Sequence, residues 1–186
     1  FVQADGVLVR CYRADTLPAW LWRLARELGL DKRKSKVDML NFIVRELSLS
    51  GKPLFIDESD YIADNIEILE TIRDIYDMSG VPVIMIGYDL LPVKIKRLEQ
   101  LHNRISQHVK FQRADEEDIS IMASELVEHT VISPDLLQEL LDVSKGNFRR
   151  ITTGLASIER FTKSNNLKTI NADQWAQRQF FPVAEL

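Results

Sequence analysis

The 186-residue sequence holds a single cysteine, Cys11, which excludes an internal disulfide and fits a reducing compartment. No apolar run approaches the length of a membrane span and no secretory leader is visible, so the expected location is the cytoplasm, with no membrane partner. His102, His108 and His129 have no ligand spacing with Cys11 or with one another, which excludes a zinc site. Lysines and arginines number 24 against 28 aspartates and glutamates, a net charge of −4. A chain that grips nucleic acid through its overall positive field is thereby excluded, and any such contact must come from a local basic patch. Repeats and low-complexity tracts are absent. So is an initiator methionine: the chain opens at Phe1, in the middle of what reads as a domain, and upstream residues are expected to belong to the same protein. What is present is a hydrophobic share of 45% and a charged share of 28%, enough for one substantial core or a core with a small appendage.

The apolar runs come first. Gly6-Val7-Leu8-Val9-Arg10-Cys11-Tyr12 reads as a short buried strand. Thr16 can cap a helix with Pro18 in its first turn, and Leu17, Leu21, Leu24, Ala25 and Leu28 follow at helical spacing up to Gly29. Trp20 and Trp22 flank that stripe as packing residues. A second helix carries Val37, Leu40, Ile43, Val44 and Leu47. Leu54-Phe55-Ile56 is a buried strand ending in two carboxylates, Asp57 and Glu58. Asp64 followed by Glu67 resembles a capping box for a helix bearing Ile66, Leu69, Ile72 and Tyr76. Val81-Pro82-Val83-Ile84-Met85-Ile86-Gly87 is another unbroken apolar strand, and the order strand, helix, helix, strand, helix, strand predicts a doubly wound parallel α/β sheet.

After Leu90 the texture changes. A helix is predicted through Lys94, Arg97, Leu98, Leu101, Arg104 and Ile105, then a last short strand at Val109-Lys110-Phe111. Beyond Arg113 the pattern is wholly helical, with helices behind Asp115–Asp118, Ser133-Pro134, Gly146 and Asn171. The predicted division is an α/β part over residues 1–113 and a small helical part over 114–186.

Two stretches can carry chemistry. Asp57-Glu58 is either a solvated acidic turn or a pair placed where open α/β sheets bind ligands, at the carboxyl ends of strands. In the second case Asp57 would hold Mg²⁺ through water, and Glu58 would polarise the water attacking a γ-phosphate. Asp31–Lys36 is the densest basic run: Lys32, Arg33, Lys34 and Lys36 form either a solvated loop or a loop that contacts phosphates without reading bases.

Taken in order, these pieces resemble the later portion of an AAA+ ATPase. Leu-Phe-Ile-Asp-Glu resembles its Walker B strand, Val-Pro-Val-Ile-Met-Ile-Gly its sensor 1 strand, Arg104 in Asn-Arg-Ile its arginine finger, and Arg149 in Gly-Asn-Phe-Arg-Arg-Ile its sensor 2. The wording is most similar to the branch containing the target-capture ATPases of DNA transposition, such as the B protein of Mu-like phages, and related secretion-associated ATPases. The resemblance covers nearly the whole chain. It implies a parallel-sheet P-loop NTPase core followed by a helical lid, with ATP and Mg²⁺ as substrate and cofactor. In that frame Asp57 positions the metal, Glu58 the water, Arg149 touches nucleotide in cis and Arg104 reaches a neighbouring subunit's γ-phosphate in trans. A trans finger implies a ring or helical filament, here with duplex DNA held through phosphates by Lys32, Arg33, Lys34 and Lys36, and a transposase as a further partner.

Two departures from the family pattern stand out. No Gly-x-x-x-x-Gly-Lys-Ser/Thr run occurs, so these 186 residues alone are expected to bind ATP poorly or not at all. At sensor 1 the usual small polar side chain is replaced by Gly87, leaving Tyr88 and Asp89 as the candidates for nucleotide contact. The rival readings are an ATPase of the same branch acting on protein partners in secretion or signalling, and a non-catalytic adaptor with the same shape.

Overall fold

The computed structural model describes residues 5–176 and 178–181. They fall into two compact units, Phe1–Lys110 and Phe111–Leu186. No helix among the described residues is long and apolar enough to cross a membrane.

In the first unit the chain runs β1 (Val7–Arg10), α1 (Leu17–Glu27), α2 (Lys36–Ser50), β2 (Leu54–Asp57), a single 3₁₀ turn at Ser59–Tyr61, α3 (Ile66–Ser79), β3 (Val83–Met85), α4 (Leu91–Ile95) and α5 (Glu99–His102). The three strands are parallel in the order β1-β2-β3, with Val9 opposite Ile56 and Ile56 opposite Met85. The parallel α/β class predicted from the order of apolar runs is therefore the class observed. Alternation decides the two faces. Val7, Val9, Leu54 and Ile56 point to one face and are buried with Trp20, Leu21, Leu24, Ile43, Leu47, Leu69 and Ile72 of α1, α2 and α3. Leu8, Phe55 and Ile84 share the other face and are only half-buried. The expectation of buried strands thus holds for one face of this sheet and is corrected for the other, and β3, lying at its edge, is half-buried throughout. Cys11 is a fully buried core residue, and burial pushes its thiol up to about 12.

Several local predictions are corrected by their hydrogen bonds. Asn65, not Asp64, caps α3: its side chain accepts from the Ile68 N–H, while Asp64 pairs with Lys94 Nζ at 2.7 Å. Thr16 occupies the N-cap of α1 but makes no side-chain cap bond. The helix expected through Lys94–Ile105 is broken between α4 and α5, because Leu98 leaves helical backbone (φ −104°, ψ 86°) and packs against the first core. Val109-Lys110-Phe111 forms no strand, and Phe111 is exposed.

The second unit comprises α6 (Glu116–Leu126), β4 (Val131–Ile132), α7 (Pro134–Ser144), α8 (Phe148–Ser164), β5 (Thr169–Ile170) and α9 (Ala172–Trp175). Its core gathers Ile119, Leu136, Leu140, Ile151, Leu155, Ile158 and Trp175. Trp175 meets Phe161 edge-on at 5.6 Å and stacks on Phe180 at 5.2 Å. The expectation of an all-helical unit is corrected by β4 and β5, which pair in parallel over two residues each.

Candidate functional site

Parallel strands end on one edge of their sheet, so β1, β2 and β3 deliver the side chains that follow them to a common rim. Asp57 closes β2 at that rim, directly opposite Arg10 of β1. Both fall on the half-buried face, since Arg10 and Asp57 continue the alternation of Leu8 and Phe55. The Arg10 guanidinium donates from Nε (3.0 Å) and Nη2 (2.9 Å) to a single carboxylate oxygen, Asp57 Oδ2. Asp57 Oδ1 accepts the Glu58 N–H at 2.9 Å. The hydrogen bonds and charge of Asp57 push the Arg10 pKa above its ordinary value.

The end of β1 is itself braced. Arg23 Nη1 donates to the Arg10 carbonyl at 2.8 Å, and the same guanidinium forks onto both carboxylate oxygens of Asp15. The Asp15 side chain is only 4% exposed. Its desolvation raises the pKa, but the Arg23 and Tyr12 hydrogen bonds outweigh that and hold Asp15 below its ordinary value.

The chain leaves β2 through a forced turn. Glu58 has φ 55° and ψ 38°, the left-handed region, which is strained for a residue with a Cβ. What holds it there is the next residue: fully buried Ser59 donates its N–H to the Ile86 carbonyl (2.9 Å) and its Oγ–H to the Ile56 carbonyl (2.8 Å). Asp60 then reaches across to accept the Tyr88 N–H on Oδ2. Asp57, Glu58 and the loop after β3 are thereby fastened into one rim.

The predicted site residues are distributed as follows. Asp57 and Glu58 lie on the rim, and among the described residues the Glu58 carboxylate makes no hydrogen bond or ion pair. Tyr88 is on the same rim, attached through its backbone with its side chain exposed; Asp89 pairs with Lys110 Nζ at 3.3 Å. Arg104 is elsewhere. It donates from Nε to both oxygens of Asp77 (2.7 and 2.9 Å) and from Nη1 to the Gln100 carbonyl. Asp77 lies in the last turn of α3, just before the chain enters β3, so Arg104 is held near the amino end of the sheet, away from Asp57 at the carboxyl end. Its hydrogen bonds hold Asp77 below the usual carboxylate range. Arg149 belongs to the second unit, exposed in the first turn of α8. Lys32, Arg33 and Lys34 are exposed in the loop between α1 and α2, while Lys36 opens α2 and pairs with Glu67 at 2.8 Å.

Sequence reasoning missed Arg10, Ser59 and Asp60. The pattern alone places Asp60 within the acidic stretch, but its partner appears only when β3 is laid beside β2. Gly87 belongs to the same arrangement: a Cβ there would overlap Asp60 Oδ2 and lie 2.9 Å from Leu91 Cδ2. Gly146, of the Gly-Asn-Phe-Arg stretch, also has a packing role. It has φ 67°, and a Cβ would sit 2.6 Å from the Ala114 carbonyl, whose own N–H donates to the Gly146 carbonyl.

Among the described residues no cluster of three or more His, Cys, Asp or Glu could hold a metal by itself. One or two rim carboxylates fit the other kind of site, in which Mg²⁺ keeps several waters and is shared with substrate phosphates. Oδ1 of Asp57 accepts one bond and has capacity for a metal-bound water.

A parallel sheet with helices against it and an acidic pair at the carboxyl end of its middle strand is consistent with an AAA-type P-loop NTPase core. The AAA domain family model matches residues 2–92, a stretch that contains β1, β2, β3 and the whole rim from Arg10 to Tyr88. Over 158 residues the chain is 24% identical to a "Potential ATP-binding protein" of Staphylococcus aureus, covering 81% of this chain and 55% of the relative. The chain thus spans about half the length of that relative.

Proposed function

We propose that the natural protein carrying these residues is an ATPase that self-assembles on duplex DNA, captures it as a transposition target and activates a transposase. The observation that carries the ATPase reading is the Asp57-Glu58 pair on the rim of the parallel sheet, inside the stretch matched to the AAA domain. The name of the Staphylococcus aureus relative, an ATP-binding protein, supports nucleotide as the ligand. The DNA reading is supported by the sequence resemblance and by the exposed cations Lys32, Arg33 and Lys34.

Asp57 would hold Mg²⁺ through water, and a metal held there would supply charge neutralisation for the nucleotide phosphates. Glu58 orients the attacking water and takes its proton. Tyr88 and Asp89, which follow Gly87 on the loop fastened by Asp60, are assigned contact with the nucleotide. Arg149 is assigned the lid's contact with nucleotide. Arg104, held near the amino end of its own sheet, is assigned to a neighbour's γ-phosphate, which makes a ring or filament part of the mechanism. The 186 residues contain no phosphate-cradling Gly-x-x-x-x-Gly-Lys-Ser/Thr run, so the segment alone is proposed to bind ATP poorly or not at all.

The test is ATP hydrolysis by the natural full-length protein, with and without nonspecific duplex DNA, at low and moderate salt. DNA should stimulate turnover, salt should erase the stimulation, and replacing Lys32, Arg33, Lys34 and Lys36 together by Ala should remove it. Turnover indifferent to DNA would overturn the DNA assignment in favour of an ATPase that remodels protein partners. No turnover under any condition would leave a non-catalytic adaptor.

A further inference from the structure

We propose that Arg10 is a positioning residue for the Asp57 carboxylate: its fork fixes which oxygen faces the metal, and its charge disfavours a divalent cation there until nucleotide phosphates arrive. The inference rests on the reading of Asp57 as the Mg²⁺-holding carboxylate. It begins from an asymmetry. A carboxylate oxygen has about two acceptor sites, and both Arg10 donors fall on Oδ2, at 3.0 and 2.9 Å. Oδ2 is thereby saturated. Oδ1 spends one site on the Glu58 N–H and keeps one open. A metal-bound water therefore has a single place to bond, and the rotamer that offers it is locked from both sides.

The arrangement is built from the backbone outward. Register puts Arg10 opposite Asp57, the Cys11 N–H donates to the Asp57 carbonyl at 2.8 Å, and the Arg10 carbonyl is gripped by Arg23. Arg23 is anchored in turn by nearly buried Asp15 and lies over the Tyr12 ring at 4.4 Å. An incidental surface pair would have no such bracing. The Arg10 side chain itself is 59% exposed against 24% for Asp57, so it can release Oδ2 without unpacking a core. Arg10 also feels the charge of Glu58, so the two rim carboxylates are partly neutralised before any cation is present. Two acids with a resident guanidinium attract a lone divalent ion weakly. Nucleotide phosphates restore the negative charge that favours it.

The experiment is a Mn²⁺ titration of the natural full-length protein, free Mn²⁺ being read by electron paramagnetic resonance, without nucleotide and with ADP. The component of binding abolished by Asp57→Asn is the site. Without nucleotide, Arg10→Gln should tighten that component about tenfold, the order of effect expected when a guanidinium beside a divalent cation is removed in a solvent-exposed site. Arg10→Lys, which keeps the charge and loses the fork, should stay within about twofold of the parent without nucleotide and weaken the ADP-dependent component, where alignment of Oδ1 matters. Unchanged or weaker Mn²⁺ binding in Arg10→Gln, with Asp57→Asn still effective, would overturn the role of Arg10 alone. Mn²⁺ binding indifferent to Asp57→Asn would overturn the metal reading of Asp57 and this inference with it.

Discussion

At Gly87 there is room for a hydrogen and little more, because the Asp60 carboxylate packs against the Cα to receive the Tyr88 N–H. The residue that looks like a departure from a small polar sensor is thus set by sterics. Its neighbour Asp60 spans from the turn after β2 to the loop after β3, and the strained backbone of Glu58 is held by the same cross-links through Ser59. Gly87→Ala forces the carboxylate away and removes the tie. The expected loss of stability is about 1–3 kcal/mol, the usual range for overpacking a tight site. It is read from urea unfolding of the parent and variant. Adding Asp60→Ala should then cost less in the Gly87→Ala background than in the parent, because the two residues share one contact. Strictly additive losses would contradict the coupling.

At the level of elements, the strands and long helices are legible because their signals are local. Apolar runs such as Leu54-Phe55-Ile56 and stripes such as Leu17, Leu21 and Leu24 lie in consecutive sequence, and the parallel sheet follows from their order. The misreadings are cases where the deciding contact is remote. Asp64 has the right chemistry for a cap, but Lys94 takes it and Asn65 caps α3 instead. Leu98 breaks a periodic stretch to reach the first core, and β4 and β5 are too short to leave a period-two pattern. The site divides the same way. Asp57 and Glu58 are adjacent and announce themselves at a strand end, whereas Arg10 meets Asp57 only through strand register, a separation of 47 residues. The α3 cap supplies a direct check. Asn65→Ala should destabilise by about 1 kcal/mol, while Asp64→Ala, which removes an exposed ion pair, should have a smaller effect in the same urea measurement. The reverse order would restore Asp64 as the cap.

For the whole molecule, the placement of Arg104 matters most. Within the first unit it pairs with Asp77 near the amino end of the sheet, away from the Asp57-Glu58 rim at the carboxyl end, and the proposal that Arg104 serves a neighbour's reaction starts from that separation. Under that proposal the chemistry requires self-assembly. The proposed assembly would repeat the exposed loop of Lys32, Arg33 and Lys34 as basic patches, although a single chain carries a net charge of −4. All of this depends on the rim acids being the hydrolytic pair. The most direct measurement is ATP binding and ATP turnover, side by side, in the natural full-length protein and its Glu58→Gln variant. Gln keeps the size of the side chain and the strained backbone but cannot take a proton from water. The expected result is nucleotide affinity within about twofold of the parent, with turnover reduced at least a hundredfold, the scale on which positioned general bases contribute. Undiminished turnover in Glu58→Gln would contradict the assignment of the rim as the catalytic site.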